Sequence, residues 1–175
     1  MNEFLERKVH LTWGEQKPTY DVVVIGGGGH GLSTAYHLAT RHGITNVAVL
    51  ERKYIGGGNS GRNTTVIRSN YGVPESIRFY QRSVELYQQL EEETDRWIMH
   101  KQKGILWTVH TEAGLRQERA RSFINQANGV NTEFLTPQEI AGIAPEIDLN
   151  VGGGKYPVLG ASYQAAASTA RHDRV

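Results

Sequence analysis

One stretch, Asp21 to Glu51, limits the fold of this chain more than any other: DVVVIGGGGHGLSTAYHLATRHGITNVAVLE. An apolar, β-branched run from Val22 to Ile25 ends at four successive glycines, and a helical pattern follows. A second apolar run, Val47 to Leu50, then ends in the acid Glu51. β-Branched runs bounded by turn residues favour strands, and apolar residues three and four apart favour a helix. The stretch therefore predicts a strand, a tight turn, a helix and a second, parallel strand.

The glycines Gly26, Gly28 and Gly31 have the G-x-G-x-x-G spacing of a dinucleotide-binding turn. In that turn the first glycine allows a sharp bend, the second lets backbone approach a pyrophosphate, and the third lets the helix pack against the strand. The N–H groups that open the helix favour a phosphate. Glu51 lies twenty residues after Gly31, where an acid can accept the ribose hydroxyls of an adenosine. An ordinary glycine-rich α/β turn is the alternative, but it does not explain the position of Glu51.

The segment after Glu51, from Arg52 to Tyr71, is rich in glycine and asparagine: RKYIGGGNSGRNTTVIRSNY. Its glycines, at positions 56, 57, 58 and 61, let backbone N–H groups point at an anion. We interpret the segment as a second layer of cofactor contacts, with a mobile surface loop as the alternative. The residues alone do not separate FAD from NAD. A nicotinamide enzyme usually has an ordinary crossover here, whereas this long loop resembles the second flavin contact of amine-oxidising flavoproteins, and that resemblance favours FAD.

The rest of the chain reads as alternating helices and short strands. Periodicity predicts a helix over Pro74–His100, a strand over Gly104–His110, a helix over Leu115–Asn128, a strand over Asn131–Leu135, and a helix capped by Thr136 and stopped by Pro145. The last residues, SYQAAASTARHDRV, read as the start of another helix, with Ser168 or Thr169 as its cap.

The predicted fold class is α/β: a Rossmann-like FAD-binding domain followed by the start of an inserted α+β substrate domain. We expect an N-terminal arm over residues 1–19, anchored by Trp13, and the first part of the FAD-binding domain over 20–100. Residues 101–175 are expected to hold the start of the substrate domain and a return segment. Since a helix pattern at the C-terminus has no stop signal, we also expect this chain to be a truncated portion of a longer protein.

Composition excludes several classes of function. The 175 residues carry a formal net charge of +1 with interspersed signs, which gives no reason to expect a nucleic-acid or anionic-membrane partner. The absence of cysteine excludes disulfides and thiolate chemistry and fits a reducing cytoplasm. No run approaches the ~20 apolar residues of a membrane span. No metal-binding or catalytic signature is found among the scattered histidines, so we expect no metal and assign the chemistry to a bound cofactor.

Several segments resemble the beta subunits of heterotetrameric sarcosine oxidases, within the D-amino-acid-oxidase-like, FAD-dependent flavoproteins. They are VVIGGGGHGLSTAYHLA, HGITNVAVLER, IGGGNSGRNTTVIRSNY, KGILWTVHT, and YPVLGASYQ followed by ARHD. The resemblance extends from Tyr20 to Asp173. It implies FAD-dependent oxidation of sarcosine to glycine, with electrons passing to FMN and then to oxygen to give hydrogen peroxide, and a one-carbon unit passing to tetrahydrofolate. It also implies alpha, gamma and delta partner subunits, with NAD on the alpha subunit.

The resemblance also assigns residues. Gly29 and His30 would lie beside the FAD phosphates, Glu51 would bind the adenine ribose, and Asn59, Thr64 and Val66 would supply contacts from the second loop. Arg62 and Arg68 either contact FAD or brace that loop.

The sequence Ala170-Arg171-His172-Asp173 matches the context in which this family attaches FMN covalently. His172 is therefore the candidate attachment site, because an imidazole nitrogen can bond to the 8α-methyl carbon of a flavin. Asp173 or Arg171 would orient the ring or stabilise an anionic flavin.

Three alternatives remain for function. The chain could belong to a related glycine or dimethylglycine oxidase, to a non-catalytic, truncated dinucleotide-binding fragment, or, less favoured, to an NAD-dependent dehydrogenase. No catalytic base is identified, and the residues that bind the substrate carboxylate are expected beyond Val175.

Overall fold

A computed structural model describes residues 16–175, which divide into two compact units. Unit 1 ends at Gly58, and unit 2 runs from Asn59 to Val175. The mixture of helices and strands agrees with the predicted fold class. Trp13 and most of the predicted N-terminal arm lie outside the described residues. Unit 2 runs across residue 100, and the division there between an FAD-binding part and a substrate part stays a prediction.

Unit 1 is the strand–turn–helix–strand unit expected from the opening stretch. It consists of β1 (Val22–Ile25), α1 (Gly29–His42) and β2 (Val47–Leu50). The strands are parallel, and Val22 is opposite Val47. Gly43 ends α1 in the left-handed conformation, with φ of +68°, as expected of a glycine at a helix C-terminus. These elements confirm the prediction.

Unit 2 contains two small antiparallel sheets and three helices. In chain order its elements are a 3-10 turn (Asn59–Gly61), β3 (Val66–Ile67), α2 (Pro74–Thr94), β4 (Lys101–Gln102), β5 (Ile105–Val109), α3 (Glu112–Ala127), β6 (Glu133–Leu135), α4 (Pro137–Ile143), β7 (Gly160–Gln164) and β8 (Ser168–Thr169). The strand orders are β3-β8-β4 and β5-β7-β6.

The core of unit 2 packs α4 against β6 and β7 through Leu135, Ile140, Val158 and Ala161. On α2, Ile77 and Val84 lie seven residues apart on one face of the helix, and both are buried. None of the helices formed by residues 16–175 combines the length and apolar character that a membrane crossing needs.

The predicted C-terminal helix is wrong, because the segment forms β7, a turn and β8 instead. Alanine favours helices in isolation. Here the small residues allow close packing on both faces of a central strand: Ala161 and Ser162 are fully buried. A Cβ at Gly160 would lie 2.6 Å from Cζ of Phe134. Tertiary packing therefore overrides local propensity.

Two predicted helix ends also need correction. Helix α2 ends at Thr94 rather than His100, because Asp95 takes the left-handed conformation with φ of +50°. Helix α3 begins at Glu112, since the Thr111 side chain accepts a hydrogen bond from the N–H of Gly114. The predicted cap of α4 is confirmed, and Thr136 and Glu139 form a reciprocal capping box.

Candidate functional site

The glycine turn of unit 1 joins the end of β1 to the start of α1. Gly26 has a φ of +107°, which glycine adopts readily, and its N–H donates to the Leu50 carbonyl at 2.8 Å. Gly28 is the N-cap residue of α1, and its carbonyl accepts from the N–H of Leu32 at 3.0 Å. The turn is thus fixed to the end of β2 as well as to the helix.

Gly31 packs α1 closely against the glycine turn and β1. A Cβ there would lie 2.0 Å from the Gly26 carbonyl oxygen and 3.2 Å from Cγ1 of Val24. Gly29 and His30 form the exposed first turn of the helix. The absence of a side chain at Gly31 therefore sets the distance between the helix N-terminus and the strand.

The carboxylate of Glu51 closes the glycine turn. Its Oε2 accepts from the Gly27 N–H and its Oε1 from the Lys53 N–H, each at 2.8 Å. The N–H groups of Lys53 and Gly27 lower the pKa of Glu51, so it is an ionised acceptor. Two oxygens with several lone pairs retain capacity for further hydroxyl donors.

Gly27 is a site residue that sequence reasoning missed. It is buried, and a Cβ there would lie 3.0 Å from Cβ of Glu51. The unbroken run of four glycines was the available signal. The carbonyl of Gly27 also accepts a hydrogen bond from the N–H of Gly56 at 2.9 Å, so the loop after Glu51 returns to the glycine turn within unit 1.

The second half of that loop lies in unit 2. The N–H of Arg62 donates to the Asn59 carbonyl at 3.0 Å, and the N–H of Thr65 donates to Oδ1 of Asn63 at 2.7 Å. Thr65 has a φ of +60°, an uncommon conformation for a β-branched residue. No local pattern in the sequence predicts this strained conformation of Thr65. Its neighbours Thr64 and Val66 are exposed.

Arg68 is half-buried in a cluster of aromatic rings in unit 2. Its guanidinium carbon lies 4.2 Å from the centroid of the Tyr71 ring and 5.1 Å from that of Trp107. Tyr71 in turn stacks on Tyr80 with ring centroids 4.1 Å apart. Burial raises the pKa of Tyr71, and Arg68 partly opposes this effect. We call Arg68, Tyr71, Tyr80 and Trp107 the arginine–aromatic cluster.

His172 is exposed and lies three residues after the end of β8. The residues on either side form an ion pair, with Nε of Arg171 2.9 Å from Oδ1 of Asp173. The Arg171 hydrogen bond is the main cause of the lowered pKa of Asp173. The N–H of Arg171 also donates to the Ile98 carbonyl at 3.0 Å, which fixes the segment to the body of unit 2.

The predicted cofactor residues are thus divided between the units. Unit 1 holds Gly26, Gly28, Gly29, His30, Gly31 and Glu51, whereas unit 2 holds Asn59, Arg62, Thr64, Val66, Arg68 and His172. Within residues 16–175, no group of three or more histidine, aspartate or glutamate side chains could hold a metal ion.

Known proteins share this sequence over most of its length. The sarcosine oxidase subunit beta of Arthrobacter sp is 47% identical over 178 residues, covering 100% of this chain and 44% of the relative. That of Rhodobacter capsulatus is 43% identical over 161 residues, covering 92% and 38%. The dimethylglycine dehydrogenase of Mus musculus is 27% identical over 78% of this chain and 16% of its own. The chain therefore spans less than half the length of these relatives.

Solved structures share the fold. An L-proline dehydrogenase from P. horikoshii superposes with a TM-score of 0.78 at 30% identity, over 89% of this chain and 39% of that one. A glycine oxidase from Bacillus cereus gives 0.72 at 24% identity, over 89% and 41%, and shows the fold alone. Residues 21–174 match the family described as FAD dependent oxidoreductase. The chain accordingly belongs to the FAD-dependent oxidoreductase family.

Proposed function

We propose that this chain holds the adenosine half of FAD in an amine oxidase that acts on sarcosine. The observation that carries the proposal is the contact between Glu51 and the Gly27 N–H at 2.8 Å. This contact puts an ionised acceptor at the glycine turn from which α1 starts. A ribose presents hydroxyl donors to such an acceptor, and a pyrophosphate favours the N–H groups of a helix N-terminus.

The residues of unit 1 fit this group. The space that a side chain at Gly31 would fill is taken up by the backbone of Gly26 in the turn, so the helix N-terminus lies close to the turn. Gly26, Gly28 and Gly29 leave backbone free of side chains along the turn, and His30 adds a polar ring to the exposed first helical turn. Bound FAD would supply a two-electron acceptor for oxidation of an amine.

Unit 2 would supply further contacts through four exposed residues, Asn59, Arg62, Thr64 and Val66. Thr64 and Val66 flank the strained Thr65. Arg68 is the cation that we assign to an anion at this site. Its setting among aromatic rings suits an anionic group of the flavin or the carboxylate of a small amino-acid substrate.

The finer part of the proposal follows the relatives named sarcosine oxidase subunit beta. The reaction would convert sarcosine and oxygen to glycine and hydrogen peroxide and pass a one-carbon unit to tetrahydrofolate. His172 would carry covalent FMN, and alpha, gamma and delta subunits would complete a cytoplasmic complex, with NAD on the alpha subunit. Exposure of His172 and the ion pair that flanks it support the attachment site.

FAD binding is tested by titrating the chain with FAD and following flavin fluorescence. Glu51→Gln should weaken binding by about tenfold, because it removes a charge-assisted hydrogen bond. Glu139→Gln is the matched control, since Glu139 is also an exposed carboxylate bonded to a backbone N–H, but in the cap of α4. No flavin uptake, or equal affinities for the two variants, would contradict the proposal.

Covalent FMN is tested by acid precipitation of the protein assembled with its partner subunits. Flavin colour should stay with the pellet and leave it in His172→Ala, but not in the control His42→Ala at the exposed end of α1. Colour that survives His172→Ala excludes this site. In the same assembly, sarcosine should bleach the flavin band faster than glycine or dimethylglycine does, whereas the reverse order would favour the alternative oxidases.

A further inference from the structure

A buried glutamine in unit 2 holds the backbone next to Arg68. Gln164, the last residue of β7, is fully buried, as are Ser69 and Asn70. Its Oε1 accepts from the N–H of Ser69 at 3.1 Å and from that of Asn70 at 3.2 Å. One amide oxygen therefore satisfies two successive N–H groups of a segment far from it in the sequence.

The amide nitrogen of Gln164 completes a directional chain of hydrogen bonds. Its Nε2 donates to Oγ of Ser69 at 2.6 Å, and Oγ of Ser69 donates to Oε1 of Gln81 on α2 at 2.8 Å. A buried polar group is stable only when its hydrogen-bonding capacity is satisfied. This chain of bonds thus fixes the side chain of Gln164 and, through it, the Ser69–Asn70 backbone.

Asn70 connects the fixed backbone to the guanidinium of Arg68. Nη1 of Arg68 donates to Oδ1 of Asn70 at 2.8 Å and to its carbonyl oxygen at 3.2 Å. On the other side of the segment, Nδ2 of the fully buried Asn125 donates to the Tyr71 carbonyl at 3.0 Å. The position of Arg68 over the Tyr71 and Trp107 rings therefore depends on a backbone held from β7 and from α3.

We propose that Gln164 is a positioning residue for Arg68: its amide holds the Ser69–Asn70 backbone so that Asn70 directs the guanidinium to an anion at the arginine–aromatic cluster. The anion is a flavin group or a substrate carboxylate, and in this respect the inference rests on the proposed function. A mobile arginine side chain loses rotamer entropy when it binds an anion. Because Arg68 is already held in place, this entropic cost of binding is smaller.

The positioning step is tested without any ligand by NMR. The indole N–H signal of Trp107, assigned with Trp107→Phe, and the Nε–H signal of Arg68 report on the cluster. Gln164→Leu should shift both signals. Asn70→Ala should do so as well, because it removes the hydrogen bond from Arg68 to the Asn70 side chain. Gln164→Glu keeps both acceptor bonds and loses only the donation to Ser69, so it should shift both signals less than Asn70→Ala does. Gln126→Leu is the control, because the amide of Gln126, on α3, donates to the Thr132 carbonyl instead.

Signals that stay at wild-type positions in Asn70→Ala and in folded Gln164→Leu would overturn the inference. Where Gln164→Leu fails to fold, Asn70→Ala and Gln164→Glu decide. Shifts in Gln164→Glu as large as those in Asn70→Ala would likewise reduce Gln164 to a structural role.

The anion is identified by titrating the same Trp107 signal with sodium acetate and, separately, with FAD. For whichever of the two ligands binds at Arg68, Gln164→Leu or Asn70→Ala should lower the affinity by roughly tenfold, as expected for loss of an oriented charged hydrogen bond. An effect confined to acetate assigns the site to a substrate carboxylate, and one confined to FAD assigns it to the flavin. If the variants bind both acetate and FAD with wild-type affinity, the proposal that Arg68 is directed to an anion is wrong. Absence of FAD binding to wild type with an intact acetate response would contradict the proposed function alone.

Discussion

Val66 lies directly opposite Thr169 in the antiparallel pair of β3 and β8. One residue beyond this pair, the N–H of Ala170 donates to the Thr65 carbonyl at 3.3 Å. The predicted FAD loop and the predicted FMN segment therefore lie on neighbouring strands of unit 2, although they are far apart in the sequence. A substitution that disrupts one strand should therefore also disturb the structure of the other.

Thr169→Pro should release the segment that carries His172. Strand β8 is central, paired with β3 on one side and β4 on the other. Proline has no backbone N–H, so in an interior strand it disrupts the hydrogen bonding between strands. We expect trypsin to cleave faster after Arg171 than in wild type, as followed by mass spectrometry. Thr169→Val, another β-branched residue, is the control. Equal cleavage rates for the two variants would contradict this role of the strand pair.

Gly31→Ala should disrupt unit 1. Its Cβ would lie 2.0 Å from the Gly26 carbonyl oxygen, which belongs to backbone and cannot rotate away. We expect the free energy of unfolding, measured with denaturant, to fall by roughly 1–3 kcal/mol, the usual cost of overpacking. Gly58→Ala meets nothing within 4 Å and should change that free energy by less than about 1 kcal/mol. Equal stabilities would show that α1 moves away from β1 without penalty.

Unit 1 could be predicted from the sequence because its determinants are local. The β-branched run, the glycine spacing and Gly43 each specify conformation within a few residues, and the predicted strands and helix are found where expected. The capping box of α4 is local in the same sense. What the pattern did not reveal was Gly27, whose importance comes from Glu51 reaching back across the turn.

Unit 2 depends on contacts between distant residues, and these were not predictable. The segment after Gly160 has helical composition, yet it forms β7 because α3 packs over its small side chains, with Oγ of Ser162 donating to Glu118 at 2.9 Å. The left-handed Thr65 and the arginine–aromatic cluster likewise need partners from other elements. A single sequence identifies Arg68 as a candidate but says nothing of the Gln164 bonds that hold its backbone.

Acid should remove part of the stability of unit 1, and Glu51 should be one cause. Its pKa in the folded chain lies below the ordinary value of 4.5, so the unfolded chain takes up more protons as the pH falls. The contribution is fully present above that ordinary value and is lost as the pH drops through the folded pKa. Glu51→Gln should make the free energy of unfolding less dependent on pH in this range, measured by denaturation at several pH values. An acid limb of unchanged slope would contradict this.

Thr136→Ala should destabilise unit 2 through the N-terminus of α4. The hydroxyl of Thr136 donates to Oε2 of Glu139 at 2.7 Å and accepts from the N–H of Glu139 at 3.4 Å. Loss of such a cap costs about 1 kcal/mol, and the fully buried Ile140 one turn later ties α4 to the core, so the cost should appear in the unfolding of the unit. Thr136→Ser keeps the hydroxyl and should retain most of the stability. Because backbone and side-chain donors of Thr136 lower the pKa of Glu139, the alanine variant should also raise that pKa, measurable by NMR titration. A stability loss without this rise would mean that the methyl group of Thr136, rather than its hydroxyl, stabilises the helix start.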